Sequence, residues 1–189
     1  SSSAASDVYK RQEWPLTETV AGLYADAGLD LGDNIVYSLP TEDWTNIRAA
    51  IHAQVTLLPL DLRSSLGRIV TAIREARRWR DHALRRIPPE DLRHIFFSTT
   101  LEESQCDAHT FDQTVYDAAV DFDGSSAAYG AMLLAQAVEK EIPELQVFIR
   151  ENYSLDIPTP YGRILLRGGE DDIHYAHDCL LLIDLGGDD

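Results

Sequence analysis

The strongest constraint on this chain's fold is a change of hydrophobic period near Asn152. Upstream, apolar residues recur at steps of three and four, the spacing of a helix with one buried face. Downstream, in YSLDIPTPYGRILLRGG, prolines, glycines and β-branched residues bound short apolar runs, the pattern of strands and turns. Helices gathered first and strands gathered last point to an α+β fold. The sequence thus predicts a mostly helical domain over 13–152 and a β-strand and turn region over 153–189.

Within the helical part, start and stop signals place the elements. Pro15 and Gly28 bracket a first amphipathic stretch. Thr41 is the expected cap of a second helix whose apolar face is Trp44, Ile47, Ile51, Val55 and Leu58. Asp61, after Pro59, is the expected cap of a longer helix carrying Leu62, Leu66, Ile69, Val70, Ile73 and Ala76 and running to about Arg86. PPE at 88–90 predicts a short helix to Phe96. A further helix is expected to bury Phe111, Val115, Ala118 and Phe122, and Asp123 to Ser126 then breaks the chain and offers a cap. Residues 127–141 are predicted helical with Tyr129, Met132, Leu133 and Ala137 inward, and Pro143 is expected to open a last helix burying Leu145, Phe148 and Ile149.

Both ends bear on how the chain is read. Residues 1–12, SSSAASDVYKRQ, contain DVYKRQ, which GAT GTG TAT AAG AGA CAG encodes, the transposon end of a sequencing adapter. They are read as a translated artefact, expected to be disordered, and are excluded from the fold argument. The chain is expected to be truncated at both ends, so the lack of a signal peptide does not argue for the cytoplasm. No apolar run approaches the roughly 20 residues of a membrane helix.

Charge narrows the partners. The net charge is −16, and residues 94–189 alone hold 19 acids against four basic side chains. Such a chain repels nucleic acid and anionic membranes. The basic stretch at 63–93, with nine arginines and four acids, includes REARRWRDHALRR. Arginine interleaved with Trp79 could serve nucleic acid, but pairing with the acidic remainder is the simpler reading. Cys106 and Cys179 are too far apart in sequence to make a CxxC motif. Two unbridged, buried thiols are the simpler expectation.

The distinctive feature is a pair of blocks near the end. Gly168-Gly169 and Gly186-Gly187 lie 18 residues apart, each after an apolar run (ILLR; LLLIDL) and before acids. Strand, Gly-Gly turn and acids at a fixed period suggest stacked coils of a β-solenoid. Glycine permits the tight turn. Stacked carboxylates would repel unless a cation lay between them, and calcium takes several oxygen ligands. Asp171, Asp172, Asp188 and Asp189 are accordingly the candidate calcium ligands. The competing explanation is a solvated acidic turn.

These blocks give the chain a resemblance. TPYGRI at 159–164, GGEDD at 168–172 and LIDLGGDD at 182–189 resemble uncharacterised bacterial proteins. In those proteins a helical N-terminal region leads into repeats of the form GGxGDDxY, followed by an apolar strand ending IDLGGDDxY. The first block here lacks the glycine between Gly-Gly and Asp-Asp. The resemblance covers about the last thirty residues. It implies further repeats and brings no activity.

Other constellations are weaker. His174 and His177, beside Asp178 and Cys179, stand three apart, which does not align side chains on one strand face. Glu170, Asp171 and Asp172 could form an acid/base set only if their environments separated their pKa values. Cys106 and His109 form a lone potential nucleophile and base. No GxSxG, P-loop, HExxH or dinucleotide fingerprint occurs. The sequence therefore favours a structural or binding protein, a helical cap on an acidic, calcium-stabilised β-repeat, in an extracytoplasmic setting and self-associating through its open end. The alternative is a metal-dependent hydrolase using the acids and histidines of 170–178.

Overall fold

A computed structural model describes residues 15–29, 31, 47–93, 95, 113–149, 151–168 and 178–186. It is mostly helical with a small sheet at its C-terminal end, an α+β fold as the sequence predicts. The longer helices are α1 (Pro15–Asp26), α2 (Ile47–Thr56), α3 (Leu60–Ala83), α4 (Gln113–Asp121) and α5 (Gly124–Gln146). A short helical stretch covers residues 89–93. The strands are β1 (Leu155–Ile157), β2 (Arg163–Arg167) and β3 (Cys179–Asp184).

The chain divides into two compact units. One comprises residues 1–74 and 136–189, the other residues 75–135. The boundary expected at 152/153 falls inside the first unit, because the strands complete the core of the early helices. Leu16, Val20, Leu23 and Tyr24 from α1, Ile51 and Val55 from α2, and Leu62, Leu66 and Val70 from α3 form one buried cluster with Leu155, Ile157, Ile164 and Leu166. Burying each such aliphatic side chain contributes about 1.5–3 kcal/mol. A sheet this small is not stable alone and needs a helical layer over one face.

Local chemistry fixes the helix ends. After α1, Gly28 adopts φ +73°. Its N–H donates to Ala25 C=O at 3.0 Å, and Leu29 N–H donates to Tyr24 C=O at 2.9 Å. This is the double bond of a Schellman cap. The end of α2 is closed by a side chain from α3: Arg63 Nε donates to Leu58 C=O at 2.6 Å and Nη2 to Thr56 C=O at 2.8 Å. The helix α3 begins at Leu60, so Asp61 lies within its first turn rather than at the cap. There its carboxylate faces the positive end of the helix dipole. The helix stops at Ala83, a turn short of Arg86. Thr41 and Trp44 lie outside the described residues.

In the second unit, Asp123 caps α5. One carboxylate oxygen accepts Ser126 N–H at 3.1 Å and the other accepts the Ser126 hydroxyl at 2.9 Å. These bonds, with Arg85 nearby, hold the Asp123 carboxyl below its ordinary range. Trp79 meets His82 and Tyr129 edge-on, with centroids 5.9 and 4.8 Å apart. Two expectations fail here. Of the predicted buried face of α4, Ala118 is buried, whereas Val115 and Phe122 are exposed, and Phe111 lies outside the described residues. Tyr129 and Met132 are 43% and 46% exposed rather than inward. Helical spacing identifies residues that share a face, but not how much of that face a neighbour covers.

The first unit holds a third correction. Pro143 does not open a new helix; it lies inside α5. Proline removes one backbone donor from the ladder. It stands in the last turn of α5, between Glu141, which is held by Arg68, and Leu145, which packs against the core. Those anchors keep the helix continuous through it. Ile149, expected inside, is 46% exposed.

Candidate functional site

The apolar runs that precede the two glycine–acid blocks meet in the sheet. Its order is β1-β2-β3, with β1 antiparallel and β3 parallel to β2. The runs preceding the two Gly-Gly pairs are therefore neighbours pointing the same way. Leu165 pairs with Leu182, Leu166 with Ile183 and Arg167 with Asp184. Beyond the strands, Leu185 N–H still donates to Arg167 C=O at 3.0 Å. The positions from which the acidic blocks continue, Gly168 and Gly186, thus follow adjacent strand ends.

The start of this pairing is shaped by backbone. Gly162 has φ +116° and Asp178 has φ 61°. Arg163 N–H donates to Asp178 C=O at 2.7 Å. A Cβ on Gly162 would lie 2.6 Å from Asp178 O and 2.9 Å from Leu180 N, so only glycine fits. The register then shifts between Arg163 and Ile164, placing Leu180 as an extra residue on β3. At the far end, Asp184 Oδ1 accepts Gly186 N–H at 3.0 Å, and Gly186 has φ +135°.

The two faces of the sheet differ. Leu155, Ile157, Ile164 and Leu166 point into the helical core. Asp156 and Arg163 lie on the opposite face, where Arg163 grips Asp156 through two donors, Nε at 2.9 Å among them. Arg167 lies 3.9 Å from the same carboxylate. One sheet edge is covered: the Asp156 N–H donates to Gln54 Oε1 of α2 at 2.9 Å. Tyr24 OH, from α1, donates to Pro158 C=O at 3.0 Å just beyond β1.

The other edge, β3, borders an apolar cavity of about 350 Å³ between the strand and α5. Ile69, Val138, Ile142 and Ile149 line it together with residues 181–185. Sequence reasoning missed this cavity. Its walls come from three elements spread over more than 100 residues of sequence, and nothing in any one of them marks the junction.

Asp171, Asp172, Asp188 and Asp189 lie outside the described residues, as do Glu170, His174, His177, Cys106 and His109. Cys179 is half-buried at the start of β3. Among the described residues, no group of three or more His, Cys, Asp or Glu side chains could hold a metal ion. Also among them, no helix is long and apolar enough to cross a membrane.

The basic stretch is engaged internally. Arg68 pairs with Glu141, Arg74 with Asp26, Arg78 with Glu75, Arg80 with Asp81 and Arg85 with Asp123. Arg74 is raised above its ordinary value chiefly by its hydrogen bond to Asp26. What this architecture supplies is a same-direction presentation of two adjacent strand ends. No family model, curated protein or solved structure matches the chain.

Proposed function

We propose that the chain is a structural or binding protein, in which a helical cap seats the first strands of an acidic β-repeat stabilised by calcium. The observation that carries this reading is the parallel pairing of β2 with β3, in which Leu165 meets Leu182 and Leu166 meets Ile183. Parallel stacking of successive blocks is what a solenoid step requires. The blocks then continue into Glu170-Asp171-Asp172 and Asp188-Asp189 from neighbouring strand ends. Carboxylates brought together there would repel one another, and a hard cation with oxygen ligands would offset that repulsion. The helices supply what the first strands need: a wall of aliphatic side chains and, at Gln54, a partner for the β1 edge.

Thermal unfolding with calcium or with chelator tests the reading. Calcium should raise the melting temperature of the parent chain, and Asp171→Ala and Asp188→Ala should each reduce that rise. A melting temperature unchanged by calcium, or equal losses in both conditions, sinks the calcium part of the proposal.

A further inference from the structure

The rows of aliphatic side chains that cross the sheet end unevenly. One row runs Leu155, Leu166, Ile183; the next runs Ile157, Ile164, Leu181. The first two members of each row are fully buried, whereas Ile183 and Leu181 on β3 are only half-buried. Among the described residues, the helical wall extends past the last strand, β3. Ile142 and Ile149 line the cavity beside β3 and remain 43% and 46% exposed. The strand's edge-blunting features stand at its two ends, the bulge at Leu180 and the exposed Asp184. Between them, Leu181 to Ile183 carry no lysine, proline or charge.

We infer that the cavity between α5 and β3 receives one further extended strand of the same kind as β2 and β3. Such a strand pairs with β3, sets alternate aliphatic side chains against Ile142 and Ile149, and ends in Gly-Gly. The inference rests on the cap reading for the identity of the strand. Its geometric basis is continuity: the incoming strand repeats the β2–β3 step and extends both rows by one member. A second copy of the chain is a poorer occupant, since two chains each carrying −16 repel.

The test uses the intact chain and a fluorescein-labelled peptide with the sequence of residues 179–187, carrying C179S, in chelator so that calcium plays no part. Fluorescence anisotropy should show saturable binding at least tenfold tighter than that of a scrambled peptide. Ile142→Asp and Ile149→Asp change exposed positions, so both variants should keep the parent circular dichroism spectrum. Each should weaken binding at least tenfold, and Leu57→Asp, on another exposed surface, should leave it unchanged. Absence of binding, equal binding of the scrambled peptide, or indifference to both cavity variants overturns the inference. So does tenfold preference for a peptide of the same aliphatic residues flanked by lysines, which assigns the cavity to a foreign basic segment. A dimer in sedimentation equilibrium that Ile142→Asp dissolves assigns it to a second copy and likewise overturns the proposal. Loss of peptide binding leaves the calcium response of the parent chain intact, so the two readings fail separately.

Discussion

Arg68 and Glu141, 73 positions apart, meet through two parallel hydrogen bonds, Nε to Oε1 and Nη2 to Oε2, each 2.6 Å long. The pair joins α3 to α5 within the first unit. The Arg68 side chain is 51% exposed and that of Glu141 only 3%. The energetic weight therefore sits on the carboxylate, which would be stranded without its partner. Hydrogen bonds from Arg68 hold Glu141 below the ordinary glutamate range against the opposing effect of burial.

Arg68→Ala should therefore destabilise the chain by about 2–3 kcal/mol at neutral pH, more than an exposed ion pair would. Because the folded-state pKa of Glu141 is lowered, its contribution is present above the unfolded value and disappears as pH falls through the folded one. Urea titrations from about pH 7 to about pH 3 should show the advantage of the parent over Glu141→Gln shrinking toward the acid end. An advantage constant across that range would show that the charge plays no part.

Arg63 closes the end of α2 with two donors to two carbonyls. Arg63→Ala should cost about 1–2 kcal/mol, and Arg63→Lys should recover less than half, because one ammonium cannot reproduce the forked geometry. Equal stability of the alanine and lysine variants with the parent, by chemical denaturation, would remove the cap from the account.

Gly28 and Gly162 separate two costs that glycine substitutions usually mix. Both have positive φ, but a Cβ on Gly28 meets nothing within 4 Å, whereas one on Gly162 meets two backbone atoms. Gly28→Ala should cost about 1 kcal/mol, the conformational term alone. Gly162→Ala should cost clearly more and should loosen β3 from β2, visible as faster amide exchange at Leu181 and Ile183. Equal costs would contradict the close approach of Asp178 and Leu180.

Leu166 and Leu57 test where the core lies. The first is fully buried in the middle strand, and the second is 77% exposed just past α2. Leu166→Ala should cost about 2–5 kcal/mol, and Leu57→Ala should stay within about 0.5 kcal/mol of the parent. Comparable losses would mean that the sheet does not share the helical core.

Features decided within a few residues were legible in the sequence. The Gly28 stop, the Asp123 cap, the Leu62–Ile73 stripe and the change of period after Asn152 all belong to this kind. What depended on distant partners was not. Pro143 reads as a start signal, and only the anchoring of Glu141 and Leu145 explains why α5 runs through it. The helical spacing of Tyr129 and Met132 is genuine, yet spacing carries no information about cover. The pairing of β2 with β3 was foreshadowed by the repeated Gly-Gly, but not their register or the bulge at Leu180. The candidate acids Asp171, Asp172, Asp188 and Asp189 remain a reading of sequence alone.

The first unit is assembled from two stretches of chain separated by residues 75–135. Its core needs Leu16 to Val70 and also Leu155 to Leu185. On a ribosome, the aliphatic faces of α1, α2 and early α3 emerge first and have no sheet to cover them. At about 5–20 residues per second, roughly 4–17 s pass before the strands follow. The molecule is thus obliged to spend part of its synthesis with its stickiest surface bare, and a nascent-chain chaperone would find its best target there.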